Sequence, residues 1–276
     1  MNYEQSEAYT KSIFASVKSF LHLCNSSILD VQTTETGLSV SGFSTLQTAR
    51  LCTLYVNRLI HMFNYLIDNA EPPEEINFSC IELESLLENL CTHFQDTVFE
   101  HSSFSLQHRT SLKGSSGLLI DKTKFELLIL NILHCSIKNF QSKDRCVPQL
   151  TIYITETKNS IVFHIRDNSK TLGEGFVQSA SDIKQKSLSE FFTSVDVTLL
   201  NLAVAHKSAA EMGGLIKYTP LKSGNRFDIY LPKNTDKKLL RFNSPKPYSP
   251  DYELYLAHMA DIILENDSSL KKEVIK

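Results

Sequence analysis

The chain has 276 residues and a formal charge of −3, and its 42% hydrophobic and 21% charged residues are ordinary values for a globular protein. This charge gives no reason to expect nucleic acid as a partner. No apolar run reaches the roughly 18 residues that a membrane span needs, and the polar N-terminus does not resemble a signal peptide. We therefore expect a soluble cytoplasmic protein with one large domain or two ordinary ones.

The six cysteines are scattered without a Cys-x-x-Cys pair, and most lie inside apolar helical runs. They are expected to be small buried side chains in a reducing compartment. The histidines show no ligand-type spacing with cysteines or carboxylates, so the sequence predicts no metal site of that kind.

The first part of the chain has the pattern of a helical hairpin. Apolar residues recur at steps of three and four over residues 3–31 and again over 44–69, which predicts two amphipathic helices. Residues 32–43 between them are rich in turn formers and predict a loop. Pro72 and Pro73 end the second helix because proline cannot continue one.

One such hairpin has too little partner surface to bury both of its apolar stripes. A second copy would complete a four-helix bundle, so we expect a homodimer through residues 1–70. The alternative is that the hairpin caps the following domain of the same chain. The width of both stripes favours the dimer.

Strands and helices are mixed after Pro73. Period-two and period-3.6 patterns predict a strand entering a helix from residue 78, a strand near 102–109, a short strand at 117–120, a helix over 122–140, strands near 149–156 and 160–166, a helix over 196–212, and strands near 215–219 and 225–231. Asp121 is a predicted helix cap, and Gly213 and Gly214 a predicted helix end. Strand hairpins with helices on one side define an α+β sandwich.

These patterns divide the chain into three parts. Residues 1–73 form the helical hairpin and residues 74–234 the α+β domain. Residues 235–276 are a C-terminal extension, in which a proline-rich segment precedes a predicted helix over 251–265.

The order of these elements, with Asn131, Lys138, Asp167 and the Gly213-Gly214 pair in place, resembles the core of bacterial sensor histidine kinases. That core is a dimerisation and phosphotransfer hairpin followed by an ATP-binding domain of the GHKL, or Bergerat, fold. The resemblance covers about residues 10–232.

In that family the helix matched by residues 122–140 carries two asparagines and a lysine towards the nucleotide. Asn131 and Lys138 match the first asparagine and the lysine, at positions i and i+7 of one helix face. Cys135 stands where the resemblance implies the asparagine that coordinates Mg²⁺, and a neutral thiol is a poor ligand for this hard cation. The alternative is that Asn131 has only a packing role and that Lys138 is a solvated charge.

Asp167 matches the aspartate that accepts the adenine amino group in the family motif Asp-x-Gly-x-Gly. The two glycines of the motif are Ser169 and Thr171 in this chain, and a β-branched threonine disfavours the positive φ that glycine permits. An Asp-Asn pair such as Asp167-Asn168 is also an ordinary turn signal.

The glycine-rich lid of the family corresponds to residues 199–202, which read Leu-Leu-Asn-Leu. No glycine lies between Gly175 and Gly213, so no glycine-rich loop offers backbone N–H groups to a triphosphate. Phe191-Phe192 is similar to the aromatic box of the family.

The candidate phosphoacceptor is His22. The resemblance implies an acidic neighbour that acts as its base and a proline that bends the helix, and these are Leu23 and Ser27 here. A general base contributes roughly 10²–10⁴-fold in rate, so its loss would cripple autophosphorylation. The alternative is a histidine at the edge of an apolar stripe.

These replacements together favour a degenerate histidine-kinase-like signalling protein, a pseudokinase that acts as a dimeric scaffold or regulator in two-component-type signal transduction, with weak or no ATP binding. No cofactor is expected, although a degenerate site is compatible with ATP and Mg²⁺. A response-regulator receiver domain or a sensor kinase is the expected partner. One alternative is a phosphotransfer protein that uses His22, and another is a divergent active kinase that uses Asn131, Lys138 and Asp167.

Overall fold

The computed structural model describes residues 17, 21, 24–32, 37, 39–67, 78–99, 105–110, 117–140, 147–173, 175, 177, 180, 197–233 and 247–266. The chain divides into two compact units. Met1–Asp68 and Tyr252–Lys276 form the first unit, and Asn69–Asp251 form the second.

The elements follow the order expected from the sequence. They are α1 (Val40–Ile67), β1 (Phe78–Glu82), α2 (Leu83–Phe99), β2 (Ser105–Thr110), β3 (Gly117–Asp121), α3 (Lys122–Lys138), β4 (Gln149–Glu156), β5 (Ser160–Asp167), α4 (Val197–Glu211), β6 (Leu215–Pro220), β7 (Asn225–Pro232) and α5 (Tyr252–Asn266). The predicted α+β class is confirmed.

Helix α1 begins earlier than predicted, so the assignment of residues 40–43 to a loop is wrong. The cause is a cap: Oγ of Ser39 accepts the N–H of Gly42 at 3.1 Å, which satisfies one of the free N–H groups of the first turn. Residues 24–32 are also helical, in agreement with the predicted first helix. None of the described helices combines the length and apolar character of a membrane span.

Helix α5 packs along α1 within the first unit. Arg58 of α1 is 4% exposed, and its Nη1 donates to the carbonyl of His258 at 2.9 Å. The same Nη1 lies 3.7 Å from Oδ1 of Asp261, which is 7% exposed. A second ion pair joins Arg50 and Glu253 nearer the surface. The helix of the C-terminal extension is thus part of the helical unit.

The second unit is built on a five-stranded sheet in the order β2-β4-β5-β7-β6. Strands β2 and β4 are parallel, and the other neighbours are antiparallel. Strands β1 and β3 form a separate antiparallel pair. One side of the five-stranded sheet is apolar, since Ile152, Phe163 and Ile229 are buried there. The ring of Phe125 on α3 packs 5.2 Å from that of Phe163.

Helix α4 ends at the predicted glycine pair. Gly213 has φ 72°, and its N–H donates to the carbonyl of Ala210 at 2.9 Å. A Cβ on Gly214 would lie 2.4 Å from the carbonyl oxygen of Tyr230, so only glycine allows β7 this close to the helix end. The predicted helix end is confirmed.

The segment before α5 belongs to the second unit, and Tyr248 fixes it there. Its hydroxyl donates to Oε1 of Glu126 at 2.6 Å, and its carbonyl accepts from Nδ2 of Asn89 at 2.7 Å. Burial raises the pKa of the Glu126 carboxyl, and the hydrogen bond from Tyr248 opposes that rise.

We predict that Asp261→Ala lowers the free energy of unfolding by about 3–5 kcal/mol, because it removes the buried carboxylate that lies 3.7 Å from the Arg58 guanidinium. Chemical denaturation followed by circular dichroism measures the change. The matched control is Glu253→Ala, which removes a half-exposed partner of Arg50 and should cost at most about 1 kcal/mol. Equal losses in both variants would contradict the structural role of the Arg58 contacts.

Candidate functional site

Helix α3 carries the residues that the resemblance places beside a nucleotide. Oδ1 of Asp121 accepts the N–H of Lys124 at 3.0 Å, which confirms the predicted cap. Asn131 is fully buried, and its Nδ2 donates to the carbonyl of Leu127 at 2.6 Å. The amide therefore donates to its own helix. Lys138 is the last residue of α3 and is half-buried.

Cys135 lies one helical turn after Asn131 and is also fully buried. Its thiol donates to the carbonyl of Thr198 in the first turn of α4, with Sγ and the oxygen 3.5 Å apart. The side chain thus joins α3 to α4. Mg²⁺ takes hard oxygen ligands, so a buried thiol at this position does not fit the metal that the family binds there.

Residues 199–202, which match the glycine-rich lid of the family, lie inside α4, and all four are buried. The helix begins at Val197, so the backbone N–H groups of Asn201 and Leu202 are used within the helix. Nδ2 of Asn201 lies 2.7 Å from Nδ1 of His134 on α3. Residues 199–202 therefore pack α4 against α3.

Asp167 ends β5, and its carboxylate is 5% exposed. Its Oδ1 accepts the N–H and the hydroxyl of Ser169 at 2.9 and 2.7 Å. It also accepts the N–H and Nδ2 of Asn225 at 3.2 and 2.9 Å. An oxygen with two lone pairs that receives four donors is saturated, so this oxygen is held firmly by the protein.

The side chains that replace the family glycines hold the loop of residues 168–172. The hydroxyl of Ser169 donates to Asp167, as described above. The hydroxyl of Thr171 lies 3.1 Å from the carbonyl of Leu221 and 3.3 Å from that of Gly224, in the turn between β6 and β7. Among the described residues no non-glycine has positive φ, so the loop does not use the left-handed backbone that glycines would permit.

Asn225 and Tyr218 complete the network from β7 and β6. Oδ1 of Asn225 accepts the N–H of Leu172 at 2.8 Å, and its Nδ2 also donates to the carbonyl of Lys170 at 3.0 Å. The hydroxyl of Tyr218 donates to the carbonyl of Leu172 at 2.6 Å. The loop is therefore hydrogen-bonded to the closing hairpin at Lys170 and at Leu172.

Three residues of this network, Asn225, Tyr218 and Asn139, belong to no motif that the sequence predicts as a site. Asn139 follows Lys138 at the end of α3, and its Nδ2 donates to the carbonyl of Lys170 and lies 3.4 Å from Oγ of Ser169. These contacts bring the end of α3 to the loop. Asn225 directly follows the Ser223-Gly224 dipeptide. This dipeptide predicts a turn, but it does not predict that Asn225 contacts Asp167.

Gly224 allows the closing hairpin to approach Asp167. Its φ is 106°, and a Cβ at this position would lie 1.8 Å from the carbonyl oxygen of Asp167. Both the backbone conformation and the close contact therefore require glycine.

The second carboxylate oxygen of Asp167 differs from the first. Oδ2 is buried and has no hydrogen-bond partner among the described residues. An unsatisfied buried acceptor carries a desolvation cost, and a donor such as the adenine amino group would relieve it. Of the atoms that the resemblance implies at a nucleotide site, Oδ2 of Asp167 would fit an adenine amino group, whereas the thiol of Cys135 would not fit Mg²⁺.

The remaining sequence predictions concern metal-binding groups, the candidate phosphoacceptor and the aromatic box. In the described part of the chain, no group of three His, Cys, Asp or Glu side chains could hold a metal ion. His22 and Phe191-Phe192 lie outside the described residues, so their roles stay predictions.

The architecture defines a class of fold. No protein-family model and no curated protein matches the chain by sequence. Solved structures of histidine kinases match it, and the chain has the fold of a sensor histidine kinase core with a GHKL-like domain.

Three structures illustrate the match. Full-length ShkA in complex with AMPPNP is 15% identical with a TM-score of 0.60, over 84% of this chain and 46% of that chain, so this chain spans about half of ShkA. The histidine kinase AdeS of Acinetobacter baumannii is 16% identical with a TM-score of 0.49, over 80% of this chain and 97% of that chain. The catalytic domain of histidine kinase ThkA is 15% identical with a TM-score of 0.45, over 57% and 97%. The match with ShkA carries the fold assignment.

We predict that Gly224→Ala lowers the free energy of unfolding by more than about 1 kcal/mol, because alanine meets both the positive φ and the carbonyl of Asp167. Gly173→Ala is the matched control in the same region, since nothing lies within 4 Å of its Cβ position. It should change stability by less than about 0.5 kcal/mol. Urea unfolding compares the two, and equal stability of both variants would show that the close approach of Gly224 is not required.

Proposed function

We propose that the chain is a histidine-kinase-like pseudokinase that acts as a dimeric scaffold or regulator in two-component-type signalling, with weak or no ATP binding. The observation that carries this proposal is the hydrogen-bond network of Asp167. In the family, two glycines let the backbone approach the adenine ring. In this chain Ser169 and Thr171 add side chains at those positions, and their hydroxyls bond to the protein itself.

The magnesium side of the site supports the same proposal. Phosphoryl transfer depends on a metal ion that neutralises charge on the transferred group. Cys135 replaces the asparagine that would hold this ion, and its thiol is buried against Thr198. Asn131 and Lys138 remain, but neither residue replaces the lost oxygen ligand at the Cys135 position.

We place the homodimer interface within residues 1–70, and an apolar stripe on α1 supports this choice. Cys52 and Val56 are exposed, and Leu59 and Phe63 are half-buried. Their spacing of four, three and four residues is that of a helix–helix seam. Val56 lies about 160° around the helix from Arg58, the residue that faces α5, because the helix has 3.6 residues per turn.

The signalling partner in this proposal is a receiver domain of a response regulator or a sensor kinase, which would bind to the helical unit. Such a role needs no nucleotide chemistry in the second unit. The phosphotransfer alternative differs in that His22 would carry a phosphoryl group to or from the receiver.

A divergent nucleotide-binding kinase is the second candidate, and one observation favours it. Within the described part of the chain Oδ2 of Asp167 is a buried acceptor without a partner, which is the arrangement that an adenine amino group would complete. Under this candidate Asn131, Lys138 and Asp167 would all contribute to ATP binding. The divergent kinase would bind ATP together with Mg²⁺, whereas the pseudokinase would show no Mg²⁺-dependent binding of ATP.

We predict that ATP and ADP bind with a dissociation constant weaker than about 1 mM, and that adding Mg²⁺ leaves this value unchanged. The reason is that the thiol of Cys135 cannot replace the oxygen ligand that couples metal to nucleotide. Isothermal titration calorimetry of the full chain, with and without Mg²⁺, measures both quantities. Asp167→Asn is the comparison variant, because a binding heat that depends on the Asp167 carboxylate should be lost in it.

Micromolar, Mg²⁺-dependent affinity that Asp167→Asn abolishes would contradict the pseudokinase proposal. Incorporation of label from γ-labelled ATP into the wild type but not into His22→Ala would identify an active kinase instead.

We also predict that the wild-type chain is a dimer and that Val56→Glu shifts it to the monomer, because the substitution places a charge in the proposed seam. Sedimentation equilibrium measures the mass. Val147→Glu is the matched control, since Val147 is 59% exposed and belongs to the second unit. A monomeric wild type, or a Val56→Glu variant that stays dimeric, would exclude this interface.

A further inference from the structure

The side of the five-stranded sheet opposite its apolar face carries a concentration of positive charge. We name this side the open face. The registers place Arg109 of β2, Arg166 of β5, Arg226 of β7 and Lys217 of β6 on it, and the one carboxylate among its described positions is Asp228. Four cations and one carboxylate give the open face a formal charge of +3, whereas the whole chain has −3.

Three of these cations have no partner within the described part of the chain. Arg109, Arg166 and Lys217 are exposed, and their side chains form no hydrogen bond or ion pair there. Arg226 is different, because its Nε donates to Oδ1 of Asp228 at 2.7 Å. This hydrogen bond raises the pKa of the Arg226 guanidinium.

Arg166 is placed where it works against folding. It is directly opposite Arg226 in the β5–β7 register. Like charges directly opposite each other on adjacent antiparallel strands destabilise a sheet. A neutral side chain at position 166 would avoid this repulsion, so the arrangement indicates a use of Arg166 outside the fold itself.

The centre of the open face is rigid. Nδ1 of His164 lies 2.5 Å from Oδ1 of Asp228, and its Nε2 lies 2.7 Å from Oγ1 of Thr155. The ring of Tyr153 stacks on that of His164, with centroids 4.3 Å apart and 17° between the planes. Asp228 is only 5% exposed as a result, so the charge that the open face presents to solvent is positive.

We propose that the open face binds an acidic segment of a partner protein. Guanidinium groups form paired hydrogen bonds with carboxylates. The two unpaired arginines, on β2 and β5 with β4 between them, supply two such groups on the same face as Lys217 of β6. Leu215 is 57% exposed and lies opposite the half-buried Tyr230 on the same face, which offers apolar contact next to the cations. The fitting ligand is therefore an extended segment with both carboxylate and aliphatic side chains.

A protein segment fits this surface better than single-stranded nucleic acid. Sheet surfaces that bind single strands stack bases on free aromatic rings. One face of the Tyr153 ring is already covered by His164. This binding role goes beyond the proposed pseudokinase function and does not depend on the nucleotide site.

Fluorescence polarisation tests the proposal with a fluorescein-labelled peptide of alternating Glu and Leu. The peptide should bind the full chain, and affinity should fall between about 0.01 M and about 0.15 M salt, as the screening length shortens from about 30 to about 8 Å. Arg166→Gln and Lys217→Gln should each weaken binding about two- to fivefold. Lys158→Gln is the matched control, because Lys158 is an exposed lysine in the turn between β4 and β5.

The unfolding midpoint of Arg166→Gln shows whether weaker peptide binding comes from loss of the Arg166 contact or from loss of the fold. Removing the repulsion with Arg226 should leave the unfolding midpoint unchanged or raise it, and a lowered midpoint would contradict the argument from strand register. Three binding results would overturn the proposal: no binding of the Glu-Leu peptide, an equal loss in Lys158→Gln, or preferential binding of a single-stranded RNA oligonucleotide. A Gln-Leu peptide should not bind.

Discussion

The candidate site of the second unit depends on the hydrogen bonds that Oδ1 of Asp167 accepts. It receives donors from Ser169 just after β5 and from Asn225 at the start of β7, and Gly224 lets the two backbones come close enough for these bonds. The loop that follows Asp167 consequently has its polar groups paired inside the protein. Hydroxyl and amide side chains of the protein thus order the loop of residues 168–172 without a ligand. This is the physical basis of the pseudokinase proposal.

The same carboxylate also marks the limit of that proposal, because its Oδ2 is buried and no described residue forms a hydrogen bond with it. The strongest support for the pseudokinase proposal is Cys135, which offers a thiol where the resemblance implies an oxygen ligand of Mg²⁺. Histidine kinase structures share the fold at about 15% identity, and a fold at that distance carries no activity with it. Activity has to be argued from the residues of the site, and these favour binding roles over catalysis.

The parts of the fold that depend on local chemistry could be predicted from the sequence. The cap at Asp121, the glycine helix end at Gly213 and the alternating strands each depend on residues close together in the chain. The start of α1 was missed because Ser39, its cap, lies in a stretch of turn-forming residues that resembles a loop. The contact of Asp167 with Asn225 spans 58 positions, and no local pattern reports such a pairing. The charge of the open face likewise depends on strand order and register, which single-sequence patterns do not determine.

Hydrogen–deuterium exchange at residues 168–172 tests the central claim most directly. The N–H of Ser169 donates to Asp167 and that of Leu172 to Asn225. The account predicts that both amides are protected in the protein alone, at a level comparable to β5, and that ATP with Mg²⁺ leaves their exchange unchanged. Fast exchange in the protein alone, followed by protection when ATP and Mg²⁺ are added, would show that nucleotide orders this loop and would contradict the account.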